Sequence, residues 1–379
     1  ISYYNIDINA GAANYDDADP GNVNMSSSIL LKGALNVFSP AVFRMDATDI
    51  IDDAASPANS ITINSGAGLL YGNTYGIKTS GTGVSDGNIR ISGSRSFSND
   101  ASYGFISNGN MASGNGLPAS VNGLYVYKAN SGDMVTLTNT VRASNLLKML
   151  KGNIITGTNM VELGISAAQT GTLDYTEGYV VGNMRRWFKE TNTGNGSGLY
   201  PLGENVSGTI KNRKYLIEFS DAPASGGYLD AYFNNVDMGY DGLPISGIPA
   251  VGACPGFDVT TTEDQGFWVA TPEAGKLSDG TYKLSITGEG FVTITDLCKL
   301  TLLKRVGAGN WLAPGTHLEP TGTTSVPTVS RSGMTGFSNF GFGGGQENPL
   351  PIELLDFTAY ESNGIVKLEW TTASETNND

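Results

Sequence analysis

Through its first 177 residues the chain breaks into runs of four to seven residues that alternate apolar and polar, each ended by Gly, Asn or Ser. ISYYNIDIN, ALNVFS, AVFRMD, SITINSG, NIRISGS, GLYVYKA and MVELGIS show the pattern. A period of two over so short a span describes half-buried strands. No 3.6-residue periodicity lasts the length of a helix. SNLLKMLKG fits a short helix taken alone, but Asn153-Ile154-Ile155 follows directly and favours a strand. Strands this short hide little apolar surface each, so the fold must stack many of them. The 51 glycines in 379 residues and a charged fraction of only 15% suit an all-β chain with many turns. A hydrophobic content of 39% sets it apart from disordered chains.

One arrangement of strands recurs. Tyr3-Tyr4-Asn5-Ile6-Asp7-Ile8 leads to Val23-Asn24-Met25 and then Leu35-Asn36-Val37. About 120 residues later, Leu124-Tyr125-Val126-Tyr127 leads to Val135-Thr136-Leu137 and then Gly152-Asn153-Ile154. Neither copy can bury its apolar face alone. Stacked rungs can, which predicts a parallel β-solenoid (β-helix) over residues 1–177. A generic β-sandwich with degenerate strands is the alternative.

The character changes at Gly178. GYVVGNMRRWF, KYLIEFS, GYLDAYF, GFWVATP, GTYKLSITGEG, CKLTLLKRV and SVPTVSRSG are longer, richer in aromatic residues and further apart. They predict a β-sandwich with Greek-key connections over residues 178–347. Gly343-Gly344-Gly345 marks its end as a flexible joint. Residues 348–379 read as a linker and the first strands of an incomplete Ig- or fibronectin-like sandwich. Pro349 and Pro351 favour extended chain. Two alternating runs follow, LLDFTAY and IVKLEW, joined by the turn Ser362-Asn363-Gly364. About thirty residues cannot bury a core. These strands are expected to be finished by downstream residues or by a neighbouring chain.

The run PLPIELLDFTA, followed by VKLEWTTASETNN, resembles the segment that opens a C-terminal β-sandwich in many large Bacteroidetes cell-surface proteins. The β-helical first half and the module after Gly178 resemble what precedes that segment in the same family. The resemblance implies an extracellular, adhesin-like structural protein exported by the type IX secretion system. It also implies further rungs before Ile1, and a secretion-sorting domain beyond Asp379.

The charge balance of 22 basic against 36 acidic residues gives a net charge of −14, which repels phosphate backbones and argues against nucleic acid as a partner. No run of eighteen apolar residues occurs, so no transmembrane helix is expected. Cys254 and Cys298 are the whole thiol inventory and lack metal-ligand spacing. In an extracellular compartment they are expected to form a structural disulfide.

Catalytic material is sparse. The single histidine, His317, sits in APGTHLEPTG with no nucleophile pattern nearby and reads as a surface or packing imidazole in a turn-rich loop. Asp46, Asp49, Asp52 and Asp53 cluster in one turn-like segment rather than on successive rungs, where a β-helix would need them for glycan cleavage. Asp16-Asp17-Ala18-Asp19 and the segment from Asp237 to Asp241 offer the hard oxygen ligands calcium takes, but lack the closing acidic residue. Solvated carboxylates are the reading taken, with no cofactor. Arg185 and Arg186 must point to opposite faces of a strand, so the inward one needs a partner such as Glu190, Glu204 or Glu218. Tyr71, Tyr75, Tyr103, Tyr125 and Tyr127 read as rung fillers before glycan platforms. Thr136 and Thr138 form a lone TxT, too little for an ice-binding array. The chain is therefore expected to be a non-enzymatic extracellular structural or adhesive segment, its surface, glycan or protein ligand unnamed. A subunit of a homopolymeric filament that exchanges strands, and a carbohydrate-binding or carbohydrate-cleaving β-helix, are the alternatives.

Overall fold

In the first half each strand pairs in parallel with its equivalent one turn later. Ile6 lies beside Leu35, Leu35 beside Ile61, and Ile61 beside Arg95. The computed structural model describes residues 2–9, 22–52, 59–191, 193, 198–345, 354–362 and 364–372. About seven turns form a parallel β-solenoid, and further β-sheets follow it. Val84–Asp86 and Leu297–Lys299 are the only helical turns among the described residues, both of the 3-10 type. SNLLKMLK lies within the strand Val141–Lys151, and Gly152 follows it at the bend.

Why the turns stack is clearest on one face, which carries the strands Val42–Met45, Gly68–Tyr71, Ser102–Phe105, Ser120–Tyr127 and Val141–Lys151 in order. Their alternation sends two rows inward. Phe43, Leu69, Tyr103, Leu124 and Leu147 are in register, and so are Met45, Tyr71, Phe105, Val126 and Met149. All ten are buried. Each such side chain contributes about 1.5–3 kcal/mol by leaving water. At one corner the amides also stack: Asn122 donates to Ser102, Asn145 to Asn122 at 2.6 Å, and Gln169 to Asn145 at 2.7 Å. Such a ladder fixes register turn by turn.

The repeating unit is one turn, not the 120-residue segment expected from the sequence. Ile6-Asp7-Ile8 pairs with Leu35-Asn36-Val37 on one face, whereas Leu124 and Val126 belong to another. Similar residues recur because every inward position meets the same surroundings.

Gly178 lies at the corner before Val180–Phe188, and a Cβ there would collide with the Gly152 carbonyl of the previous turn. The strand Val180–Phe188 belongs to both halves. It pairs in parallel with Asn153–Leu163 and antiparallel with Gly227–Asn234. That sheet continues through Phe267–Pro272, Asn339–Gly344 and Leu300–Arg305. A second sheet runs Gly198–Tyr200, Tyr215–Asp221, Thr281–Thr287, Val326–Met334 and Thr316–Thr323. Tyr215, Phe219, Trp268, Tyr282, Phe340 and Phe342 are buried and share one hydrophobic core with the solenoid interior. The ring pairs are mostly edge-to-face, as between Tyr200 and Tyr215 at 5.6 Å.

Leu354–Ser362 and Ile365–Thr372 form an antiparallel hairpin. Phe357 faces Trp370 and Ala359 faces Leu368 across it, and Phe357, Leu368 and Trp370 are exposed. Pro349 and Pro351 lie outside the described residues.

Candidate functional site

Cys254 and Cys298 are disulfide-bonded, with Cα atoms 4.9 Å apart. Cys254 closes a tight turn with Val251. Cys298 does not open the following strand as its sequence suggests. It sits in the turn Leu297–Lys299, where its N–H is capped by Asp296, and the strand begins at Leu300. Glu319 accepts a hydrogen bond from Ala253 N, so bond and carboxylate together hold this loop against the strand Thr316–Thr323.

His317 lies on that strand rather than in a loop, and points into the sandwich. It is 3% exposed. Its Nδ1 lies 3.0 Å from Thr301 Oγ1, and Phe257 meets the ring edge-on. Thr301 also accepts from Arg331, whose other N–H groups go to the carbonyls of Ala313, Pro314 and Gly315. Burial, with the Arg331 guanidinium beside it, pushes the imidazole down to about 4. The imidazole is thus neutral and packed within the sandwich.

The arginine pair divides as the strand geometry requires, but neither takes an expected partner. Arg185 forms a bidentate pair with Asp230 at 2.6 and 2.7 Å and lies over Tyr228. Arg186 is buried and donates to the Leu199 carbonyl beside the Tyr200 ring. Glu204 instead holds Arg213, and Glu218 holds Lys283. Arg213 stands at the junction, 2% exposed, between the Phe233 and Phe291 rings. The short strand Gly198–Tyr200 and the antiparallel return at Gly227–Asn234 bring in partners distant in sequence, which no local pattern announces.

The carboxylates are dispersed. Asp46 pairs with Arg44, Asp49 with Arg90, and Asp52 accepts from Ser92 N. Asp53 and Asp16 to Asp19 lie outside the described residues. Asp237 accepts from Gly239 N and caps its own turn. Among the described residues no three His, Cys, Asp or Glu side chains converge to hold a metal ion. Glu263, which composition did not single out, is 1% exposed and accepts from Thr293. Burial pushes its carboxyl up to about 7, and Asp264 adds to the rise.

Tyr71 and Tyr103 are buried rung fillers, whereas Tyr125 points to the opposite face of its strand and packs with Val42, Leu70 and Ile106. Tyr75 is exposed, and Tyr127 borders a cavity. Thr138 is tied to Ser113, and Thr136 is exposed. Two concavities stand out among the described residues. One, of about 440 Å3, lies on the outer face of the second sandwich sheet over paired hydroxyls, Ser285 with Ser330 and Thr287 with Thr328. The other, of about 300 Å3, opens at a corner of the solenoid and gathers Arg44, Lys128 and Lys151. Lys128 was legible in GLYVYKA. Alternation from buried Leu124 and Val126 places it inward, and it is 1% exposed.

No protein-family model, no curated protein and no solved structure matches the chain.

Proposed function

We propose that this chain is a load-bearing, adhesive segment of an extracellular surface protein, of the type IX-secreted Bacteroidetes kind that its PLPIELLDFTA segment resembles. The observation that carries the reading is the strand Val180–Phe188, hydrogen-bonded to the solenoid on one edge and to the sandwich on the other. Force applied along the chain therefore meets one sheet and one core instead of a flexible joint. The disulfide supports an oxidising compartment. Pulling single molecules of the full chain tests it. Solenoid and sandwich are expected to yield together at high force, and rung-by-rung peeling at low force would count against a stalk.

A filament subunit is the second reading, favoured by the hairpin. Phe357, Leu368 and Trp370 share one face of it and are exposed. Two strands alone are marginal in water, so that face suits a sheet completed by another copy. Ordered polymers in electron micrographs of the purified chain would support it, and a concentration-independent monomer would oppose it.

A further inference from the structure

The solenoid-corner cavity opens where successive turns leave one face, lined by Asp46 after one strand and by Ser107, Ala129 and Lys151 at the ends of later ones. Ser107 is held at φ 77°, an uncommon conformation for a residue with a side chain, by donating to the Gly72 carbonyl and accepting from Ala129 N. Its wall is thus fixed from both sides.

The lining is cationic in a strongly acidic chain. Arg44 is matched by Asp46. Lys151, on the rim, has no ion-pair partner among the described residues. Lys128 stands behind the wall, its Nζ 2.8 Å from the Ile106 carbonyl and 3.1 Å from Met111 Sδ. Burial lowers its pKa to about 8, so it remains mostly charged at neutral pH. Lys151 therefore brings one charge to the rim, Lys128, with Asp133 near it, a second behind the wall, and the carboxylate in the lining, Asp46, is held by Arg44. Tyr127 adds an aromatic wall beside them.

We infer that this corner is a subsite for one carboxylate-bearing sugar residue, with Lys151 as the principal contact to the carboxylate, Lys128 as a fixed charge behind it and Tyr127 against the ring. A cavity of about 300 Å3 sits at the small end of ligand sites, so it suits one sugar residue at a time. This deepens the adhesive reading by naming a ligand class, and rests on it for where such sugars are met. The pulling experiment tests the stalk separately.

Isothermal titration calorimetry of the full chain at low salt, with D-glucuronate, D-glucose and inorganic sulfate, tests the inference. Glucuronate is expected to bind and glucose not to. Lys151→Ala is expected to weaken glucuronate binding by about tenfold or more, as loss of a charged hydrogen-bond partner does. Lys151→Arg should restore most of it, and Lys283→Ala, in the other concavity, should change nothing. Absence of glucuronate binding would overturn the assignment. So would sulfate binding without glucuronate, or equal binding to Lys151→Ala.

Discussion

The solenoid and the sandwich share one core but hold it by different means. In the solenoid each inward side chain sits on its own equivalent one turn away, as Leu124 sits on Leu147 and Val126 on Met149. Apolar rows, aromatic as well as aliphatic, and a ladder of amides recur from turn to turn, with Lys128 and Glu162 as buried charges among them. The sandwich has no repeat to rely on. It buries Arg186, Arg213, Arg331, Glu263 and His317 and adds the only disulfide. Buried polar groups with unique partners cost stability, yet they exclude alternative strand pairings. The difference teaches that repetition specifies register cheaply, whereas a singular arrangement needs distinctive contacts.

The sharpest way to break that comparison is at the junction. Arg213 donates to Glu204 at 2.7 and 3.1 Å and to the Glu289 carbonyl at 2.5 Å. Arg213→Ala leaves Glu204 without its partner and is expected to destabilise the sandwich by about 3–5 kcal/mol. Denaturant melts would show it. The disulfide ranks next. It spans 44 residues, and chain entropy assigns such a loop roughly 4 kcal/mol before any native strain. Cys254→Ser with Cys298→Ser should lower the single transition of solenoid and sandwich together by about that much, and a loss confined to the sandwich would split the shared body.

The pH response sharpens it further, because two buried groups oppose each other. His317 has its folded pKa depressed, so its contribution is complete above its unfolded value near 6.5 and is lost as pH falls toward about 4. Glu263 has its folded pKa raised, so its contribution is complete below about 4.5 and is lost as pH rises through about 7. Each is worth about 3 kcal/mol, and between pH 4.5 and 6.5 they largely cancel. Wild-type stability is expected to vary little there. Glu263→Gln should uncover a loss on acidification, and His317→Asn a gain. Parallel pH curves for all three proteins would refute both assignments.

The smallest effect is expected in the solenoid. Asn145→Ala removes one step of the amide ladder, donating to Asn122 and accepting from Gln169. The cost should be about 1 kcal/mol, that of one hydrogen bond, read from urea melts. A loss as large as that of Arg213→Ala would mean that the ladder, not the apolar rows, holds the turns together.

Strand and turn were legible in the sequence because both halves obey the period of two. The solenoid was legible because Gly, Asn and Ser punctuate its turns. What escaped depends on chain distant in sequence. Arg185 found Asp230, not a nearby glutamate, because an antiparallel strand brings it there. His317 looked like a loop residue because Pro and Gly surround it, yet pairing with Arg331 makes its segment a strand. The cavity cations lie on turns far apart, so no local motif could join them.

Native-state hydrogen exchange across the strand Val180–Phe188 tests the shared body most directly. Its amides hydrogen-bond to the solenoid and to the sandwich. Their opening free energy is expected to match that of Asn153–Leu163 on one side and Gly227–Asn234 on the other. If instead Val180–Phe188 opened well before both, solenoid and sandwich would be separate bodies joined by a weak seam.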